Sequence, residues 1–171
     1  PSTFGSAVSG SSDICYGQTS ELLTLTGHVG DVVRWESSVP PFDTWTTIEN
    51  TQTTYTSETL TDTTRFRAVV KSGVCDEQNS DYTEVVVFPV SVGGAVSGGS
   101  TICSGSTSSE LTLSGNVGDV IRWEYSENET DWFEIVNTET TYTSDVLTQT
   151  TYFRAIVQSG PCSEATSDYT T

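Results

Sequence analysis

The cysteines are the first residues in this chain whose chemistry could be functional. Cys15 and Cys75 stand in the first half of the sequence, and Cys103 and Cys162 stand in the second. A metal site of this type needs three or four thiolate or imidazole ligands, and His28 is the sole histidine. Each half has one cysteine near its beginning and one near its end, which instead predicts the disulfides Cys15–Cys75 and Cys103–Cys162. Such bonds form in an oxidising compartment.

These pairings carry a topological condition. In an immunoglobulin-like sandwich, a cysteine before the second strand and one after the sixth lie towards opposite ends. Cys15 must therefore lie on an extended segment beside the last strand if it is to reach Cys75.

Catalytic and cofactor sites are not expected. His28 is the one imidazole that could serve as a base in a catalytic triad, and Asn116 takes its place in the second half. Calcium needs several oxygens from one short loop, whereas Asp31 and Asp119 are single carboxylates in turns. We predict a protein that is not an enzyme and has no cofactor, with structural calcium left as the open alternative.

Aromatic residues flank the loop in which the two halves differ most. Trp45 stands at this loop in the first half, and Trp132 and Phe133 stand there in the second. Such rings form the platform of many sugar-binding modules, but they also anchor loops in sandwiches. These three residues are the candidate ligand contacts.

Charged residues alternate with apolar ones on two neighbouring strands. Arg34, Glu36 and Arg67 return in the second half as Arg122, Glu124 and Arg154. Alternation places these side chains on the outer face of the sheet. We predict a ladder of surface ion pairs, each contributing roughly 0.2–1 kcal/mol.

The composition limits the partners of the chain. Its 171 residues carry 6 basic and 23 acidic side chains, with a net charge of −17. Phosphate repels such a surface, so nucleic acid is not an expected partner, and the same holds for an anionic membrane surface. The chain also lacks the run of about 18 apolar residues that membrane insertion needs.

The whole chain is an internal repeat. The segment Val29–Glu36 returns as Val117–Glu124, 88 residues later, and the spacing falls to 87 between Trp45 and Trp132. A unit of this length is the size of one sandwich domain. We predict domains at 1–90 and 91–171, with a linker over residues 88–94.

Strand signals recur about every 8 to 12 residues within each unit, as in an immunoglobulin-like sandwich. We predict an all-β fold of two tandem immunoglobulin-like β-sandwich domains of about seven strands each. Val33 and Trp35 are expected to point inwards. In the first unit the last strand continues into Glu84–Val90, whereas in the second unit only Thr171 corresponds to this segment. The second domain is therefore predicted to be truncated in its last strand, which leaves an exposed edge.

The ordered motifs carry a family resemblance. They are Ile-Cys-x-Gly, Leu-Thr-Leu-x-Gly-x-Val-Gly-Asp-Val-x-Arg-Trp-Glu, Trp-x-x-Ile, Thr-Thr-Tyr-Thr and Thr-Thr-x-Phe-Arg-Ala-x-Val-x-Ser-Gly-x-Cys. Together they resemble the tandem immunoglobulin-like repeats of giant Bacteroidota cell-surface adhesins, of which the SprB-type gliding-motility adhesin is an example. The resemblance implies type IX secretion, an extracellular location on the cell surface, and a role in surface attachment or gliding motility.

The sequence therefore leads to two alternative predictions of function. In the first, the chain is a structural stalk module whose partners are adjacent repeats of the same parent chain. In the second, it is a carbohydrate-binding module that contacts surface polysaccharide through the Trp45 and Trp132 loops.

Overall fold

The chain is all-β in the computed structural model, which describes residues 2–171. It divides into two compact units, unit 1 over Pro1–Phe88 and unit 2 over Pro89–Thr171. In the described range, no helix is long and apolar enough to cross a membrane.

Each unit is built from two facing sheets. Unit 1 contains β1 (Ala7–Ser9), β2 (Ser12–Cys15), β3 (Leu23–Thr26), β4 (Asp31–Ser38), β5 (Thr46–Ile48), β6 (Thr54–Tyr55), β7 (Thr64–Lys71), β8 (Gln78–Asn79) and β9 (Thr83–Phe88). One sheet has the order β1-β3-β6 and the other β2-β9-β7-β4-β5, with β8 paired to β7.

Unit 2 repeats most of this arrangement. Its strands are β10 (Ala95–Ser97), β11 (Leu111–Ser114), β12 (Asp119–Ser126), β13 (Phe133–Ile135), β14 (Thr141–Tyr142), β15 (Tyr152–Gln158) and β16 (Ala165–Thr166). The sheets have the orders β10-β11-β14 and β13-β12-β15-β16. The predicted all-β, immunoglobulin-like sandwich class is confirmed.

A tryptophan lies at the centre of each core. Trp35 is completely buried, and its indole nitrogen donates a hydrogen bond to the carbonyl oxygen of Gln52 at 2.9 Å. Tyr55 packs against this indole with ring centroids 5.7 Å apart. Trp123 repeats the arrangement in unit 2, with its indole nitrogen 2.9 Å from the carbonyl oxygen of Glu139. Each indole thereby fixes the strand it comes from to the loop before β6 or β14.

A β-bulge corrects the predicted alternation at the start of β4. The pairing of β4 with β7 shifts register between Val32 and Arg34. As a result Val32 is buried and Val33 is only half-buried, so the predicted inward position of Val33 is wrong. A bulge inserts one residue and reverses the sides that follow, which is why Trp35 nevertheless points into the core.

Glycine is required just before this bulge. Gly30 has a φ of 116°, in the left-handed region that residues with a side chain rarely adopt. A Cβ atom there would lie 2.6 Å from the backbone of Lys71. The close approach of these two backbone segments therefore depends on the absence of a side chain at Gly30.

The edge strand β2 runs parallel to the last strand of unit 1. Ser12 is paired with Val85 and Cys15 with Phe88. The amide of Tyr16 continues the contact by donating to the carbonyl oxygen of Phe88 at 2.8 Å. The segment around Cys15 thus lies beside the last strand, as the sequence led us to expect.

The predicted linker over 88–94 is mostly part of the folded units. Phe88 ends β9, and the Ser91 hydroxyl accepts a hydrogen bond from the amide of Ser159 at 2.9 Å. Val92 forms a β-bridge with Val117. A Cβ atom on Gly93 would collide with the backbone of Thr166. Gly93 is therefore needed for close packing inside unit 2.

Candidate functional site

The outer face of the larger sheet in each unit carries the densest group of charged and aromatic side chains, and we call it the arginine–aromatic face. In unit 1 its centre is Glu36 on β4. One carboxylate oxygen of Glu36 lies 2.9 Å from Nε of Arg34, and the other lies 2.6 Å from a terminal nitrogen of Arg67. Arg34 also contacts Glu77 at 2.7 Å. The predicted ion-pair ladder is present.

Unit 2 repeats the same ladder with the same distances to within 0.2 Å. Glu124 contacts Arg122 at 2.9 Å and Arg154 at 2.7 Å. Glu164 takes the place of Glu77, 2.9 Å from Arg122. Two loops of different sequence thus leave the ladder unchanged, because its members come from paired strands.

The ladder is less exposed than the sequence indicates. Glu36 is only 6% exposed, so the prediction of a purely surface network is wrong at its centre. Burial by itself raises the pKa of Glu36, but hydrogen bonds from Arg67 and Arg34 outweigh burial and leave that pKa below its ordinary value. Hydrogen bonds to Glu77 and Glu36 raise the pKa of Arg34. The carboxylate and the guanidinium ions therefore hold each other in their charged forms.

Two of the three predicted aromatic contacts, Trp45 and Trp132, lie on this same face, whereas Phe133 pairs with Tyr125 and lies on the core-facing side of the sheet. The guanidinium carbon of Arg67 is 4.0 Å from the ring centroid of Trp45, and that of Arg154 is 3.9 Å from the centroid of Trp132. These are cation–π distances, so an arginine covers one face of each indole. Phe133 is 52% exposed and packs against Tyr125 with centroids 5.4 Å apart.

A second arginine lies between aromatic rings in unit 1, and no sequence pattern indicated this arrangement. The guanidinium of Arg65 lies 3.9 Å from the ring centroid of Phe42 and 4.6 Å from that of Tyr82. Its Nε also donates to Glu84 at 2.7 Å. Phe42 has a φ of 66°, a strained value for a bulky residue. The loop is strained at the residue that covers Arg65.

Unit 2 replaces this cation with a hydrogen-bonded tyrosine. Tyr152 stands where Arg65 does and packs edge-on against Tyr169 at 5.5 Å. The hydroxyl of Tyr169 donates to the carboxylate of Glu129 at 2.6 Å. Hydrogen bonds from Tyr169 and Tyr152 lower the pKa of Glu129, while the same carboxylate raises the pKa of both tyrosines. This corner of the face is the one that differs between the units.

Both halves of the chain match one family model. The match covers residues 4–89 and 92–171, and the model is described as Domain of unknown function (DUF8696). The chain belongs to this family. No curated protein sequence matches it.

The DUF8696 fold is similar to known structures at low identity. A crystal structure of domains from titin has a TM-score of 0.52 at 15% identity, covering 94% of this chain and 61% of that one. The N-terminal four Ig domains of a Dscam1 isoform have a TM-score of 0.43 at 11% identity, covering 98% and 44%. The chain spans less than two thirds of both structures, and the likeness to titin shows the fold alone.

The cysteines of the DUF8696 repeats are not paired as predicted. In unit 1, Cys15 lies level with Phe88 at the end of β9. The beginning of β7 pairs with the start of β9, and Cys75 follows the other end of β7. At ~3.3 Å per residue the two sites are about 30 Å apart, and a disulfide needs Cα atoms within about 7 Å. The pairing Cys15–Cys75 is therefore wrong.

The second pairing fails in the same way. Cys103 is an exposed, free thiol, while Cys162, like Cys15, is disulfide-bonded. Cys162 lies in the turn after β15, where its amide donates to the carbonyl oxygen of Ser159 at 2.9 Å. The predicted Cys103–Cys162 bond is absent, and each DUF8696 repeat carries one cysteine near each end of its larger sheet.

The remaining candidates for chemistry in the DUF8696 repeats lie apart from this face. His28 lies in the turn before β4, and no hydrogen-bond partner of its Nδ1 atom occurs in the described structure. Asp31 and Asp119 begin β4 and β12. Over residues 2–171, no group of three or more histidine, cysteine, aspartate or glutamate side chains is arranged to hold a metal ion.

Proposed function

We propose that this chain is a structural repeat module of a large secreted cell-surface adhesin, and that it supports surface attachment or gliding motility by bearing load. An immunoglobulin-like fold is that of a structural or binding module. The adjacent repeats of the parent chain are its partners in this proposal. The parallel pairing of β2 with β9 is the observation that carries it.

This pairing resists force because of its direction. β2 lies near the beginning of unit 1 and β9 ends it, and the two strands run parallel over Ser12–Cys15 and Val85–Phe88. Tension on the two ends of the unit pulls these strands in opposite directions along their axes. All the hydrogen bonds between them are then loaded together in shear, instead of being opened one after another.

A turn beside this pair offers a matched test. The amide of Gln18 donates to the carbonyl oxygen of Cys15 at 3.0 Å, and Gly17 has a φ of 82°, as in a type II turn. Proline is favoured at the second position of such a turn, which Tyr16 occupies. Tyr16→Pro thus removes the amide that binds Phe88 while it keeps the turn. Ser104→Pro is the control, in the equivalent turn before Gly105.

The measurement is single-molecule force spectroscopy of the two-repeat protein in reducing buffer. We expect two unfolding events, with the stronger one assigned to unit 1 because it contains the β2–β9 pair. Tyr16→Pro should lower the force of the stronger event, and Ser104→Pro should leave both events unchanged. If Tyr16→Pro has no effect on either event, the β2–β9 pair does not bear the load and the proposal fails.

The extracellular location rests on the disulfide chemistry. Cys15 and Cys162 are disulfide-bonded, and such bonds persist in oxidising compartments. Export by the type IX system and display on the cell surface are proposed from the resemblance of the sequence motifs. Surface labelling of intact cells with an antibody against the repeat tests the location, and a signal only after lysis would reject it.

A carbohydrate-binding module is the alternative proposal. It would use Trp45 and Trp132, but an arginine covers one face of each ring at about 4 Å, which leaves a single face for a sugar. A glycan array with the two-repeat protein separates the proposals. Specific binding that is lost in the Trp45→Ala, Trp132→Ala double variant would replace the stalk assignment with this one.

A further inference from the structure

Unit 2 has a groove beside β15, at a place where unit 1 has the strand β9. In unit 1 the equivalent space is filled by β9, which lies between β2 and the beginning of β7. In unit 2 the corresponding contact is a single bridge between Phe153 and Thr170. Residues 100–103, which correspond to β2, form no strand.

The groove has the size and lining of a strand site. Its volume is about 570 Å³. Its apolar lining includes Ile102, Leu111, Leu147 and Phe153. Ile102 is half-buried, whereas its counterpart Ile14 is only 6% exposed beneath the completed sheet. Leu111 and Phe153 in this lining are buried core residues, and Ile102 and Leu147 are the half-buried apolar residues beside them.

Unit 1 shows what fits such a groove. Val85 is completely buried in the core, and Val87 packs against that core from the same side of β9. The amide of Val87 donates to the hydroxyl of Thr63 at 3.1 Å. Thr150 takes the place of Thr63 in unit 2 and lines the groove.

We propose that this groove binds an extended valine-rich strand of the type Val-Val-Val-Phe, which completes the sheet of unit 2. The strand runs parallel to residues 100–103 and antiparallel to the beginning of β15, in the register that Val85–Phe88 adopts in unit 1. Its first and third side chains enter the core, and its third amide donates to Thr150. The register places its first residue directly after the position of Thr171. This inference rests on the comparison of the two units and is independent of the proposed function.

The test supplies the strand covalently. The sequence Val-Val-Val-Phe-Pro-Val, which is that of Val85–Val90, is added after Thr171. The control extension has the same length and carries aspartate in place of the first and third valines, so it can form backbone hydrogen bonds but cannot bury those side chains. Hydrogen–deuterium exchange is measured at residues 100–104, and thermal unfolding is followed for both units.

We expect the valine extension to slow exchange at residues 100–104 at least tenfold and to raise the melting temperature of unit 2 by ~5–10 °C. The control extension and the whole of unit 1 should show neither change. Equal exchange at residues 100–104 with the two extensions would overturn the proposal. So would protection that appears only along β13, because the added strand would then have paired with the other edge of the sheet.

Discussion

The centre of the ladder in unit 1 provides a sharp test of what holds the sheet together. Glu36 is 6% exposed, and its two oxygens are bound separately by Arg34 and Arg67. In Glu36→Gln, the amide oxygen still accepts from one arginine, but the amide nitrogen faces the other arginine, donor against donor. We expect unit 1 to be the less stable unit in this variant.

The magnitude follows from one lost charge-assisted contact. A hydrogen bond to a charged group contributes about 1.5–3 kcal/mol. The arginine side chains are 28% and 22% exposed, so solvent screening brings the expected loss to roughly 2 kcal/mol. For a domain of this size that corresponds to a fall of about 10 °C in melting temperature.

The assay is differential scanning calorimetry, with amide exchange at the centre of each sheet to assign the transitions. Glu124→Gln is the matched control, and it should shift the transition of unit 2 by a similar amount while leaving unit 1 unchanged. Glu77→Gln, at a side chain that is 39% exposed, should change stability by less than ~0.5 kcal/mol. A loss with Glu77→Gln as large as with Glu36→Gln would refute the assignment of the buried carboxylate as the centre.

The pH dependence gives a second check of the same reasoning. The folded pKa of Glu36 is lowered, so the carboxylate stabilises unit 1 fully above its unfolded pKa of about 4.3. This stabilisation disappears as the pH falls through the lowered folded pKa. The difference between wild type and Glu36→Gln should be constant from pH 6 to 8 and shrink in stronger acid. A difference that persists unchanged at pH 3 would contradict the electrostatic origin.

Two further predictions concern thiols and backbone space. Without reduction, a maleimide should label Cys103, which is exposed and free. Cys162 should react only after reduction and unfolding. Peptide mapping checks both sites, and labelling of Cys162 before reduction would contradict the structure. Gly30→Ala should destabilise unit 1 by ~2–3 kcal/mol, because of its positive φ and its close contact with the Lys71 backbone. Gly73 also has a positive φ, but no atom lies within 4 Å of the position that a Cβ would take, so Gly73→Ala should lower the free energy of unfolding by only about 1 kcal/mol. Equal losses of stability for the two variants in urea titrations would refute the role of the Lys71 contact.

Local periodicity predicted the central strands because their side chains alternate between core and solvent. β4 and β7 lie where the alternation of charged and apolar residues places them, and Trp35 is buried as the alternation predicts. The prediction failed where register is set by geometry. The bulge beside Val33 lies close to Gly30, whose positive φ and close approach to the Lys71 backbone are reported by no pattern of hydrophobicity.

The short strands were harder to predict from the sequence. β6 comprises only Thr54–Tyr55, and these two residues pair with two residues of β3. β8, the two-residue strand Gln78–Asn79, has both residues exposed and so carries no apolar signal. Elements of this length are determined by their partners.

At the candidate site, the sequence identified the residues of the ladder but not their environment. Repetition of Arg34, Glu36 and Arg67 at a fixed spacing predicted the ion pairs. It could not show that Trp45 stacks on Arg67 or that Glu36 is buried. The cysteine pairing failed for a related reason, since matching residues in each repeat report repetition and not proximity.

Every arginine of the chain is held by a carboxylate of its own sheet. Lys71 is the only other basic side chain, apart from the neutral His28, on a chain with a net charge of −17. The remaining acidic groups are therefore not balanced by positive charge. Such a chain behaves as an anionic polyelectrolyte. Copies on neighbouring molecules repel one another at low ionic strength, and salt screens the repulsion over about 8 Å under physiological conditions. Raising the ionic strength therefore lets copies of the chain approach one another more closely.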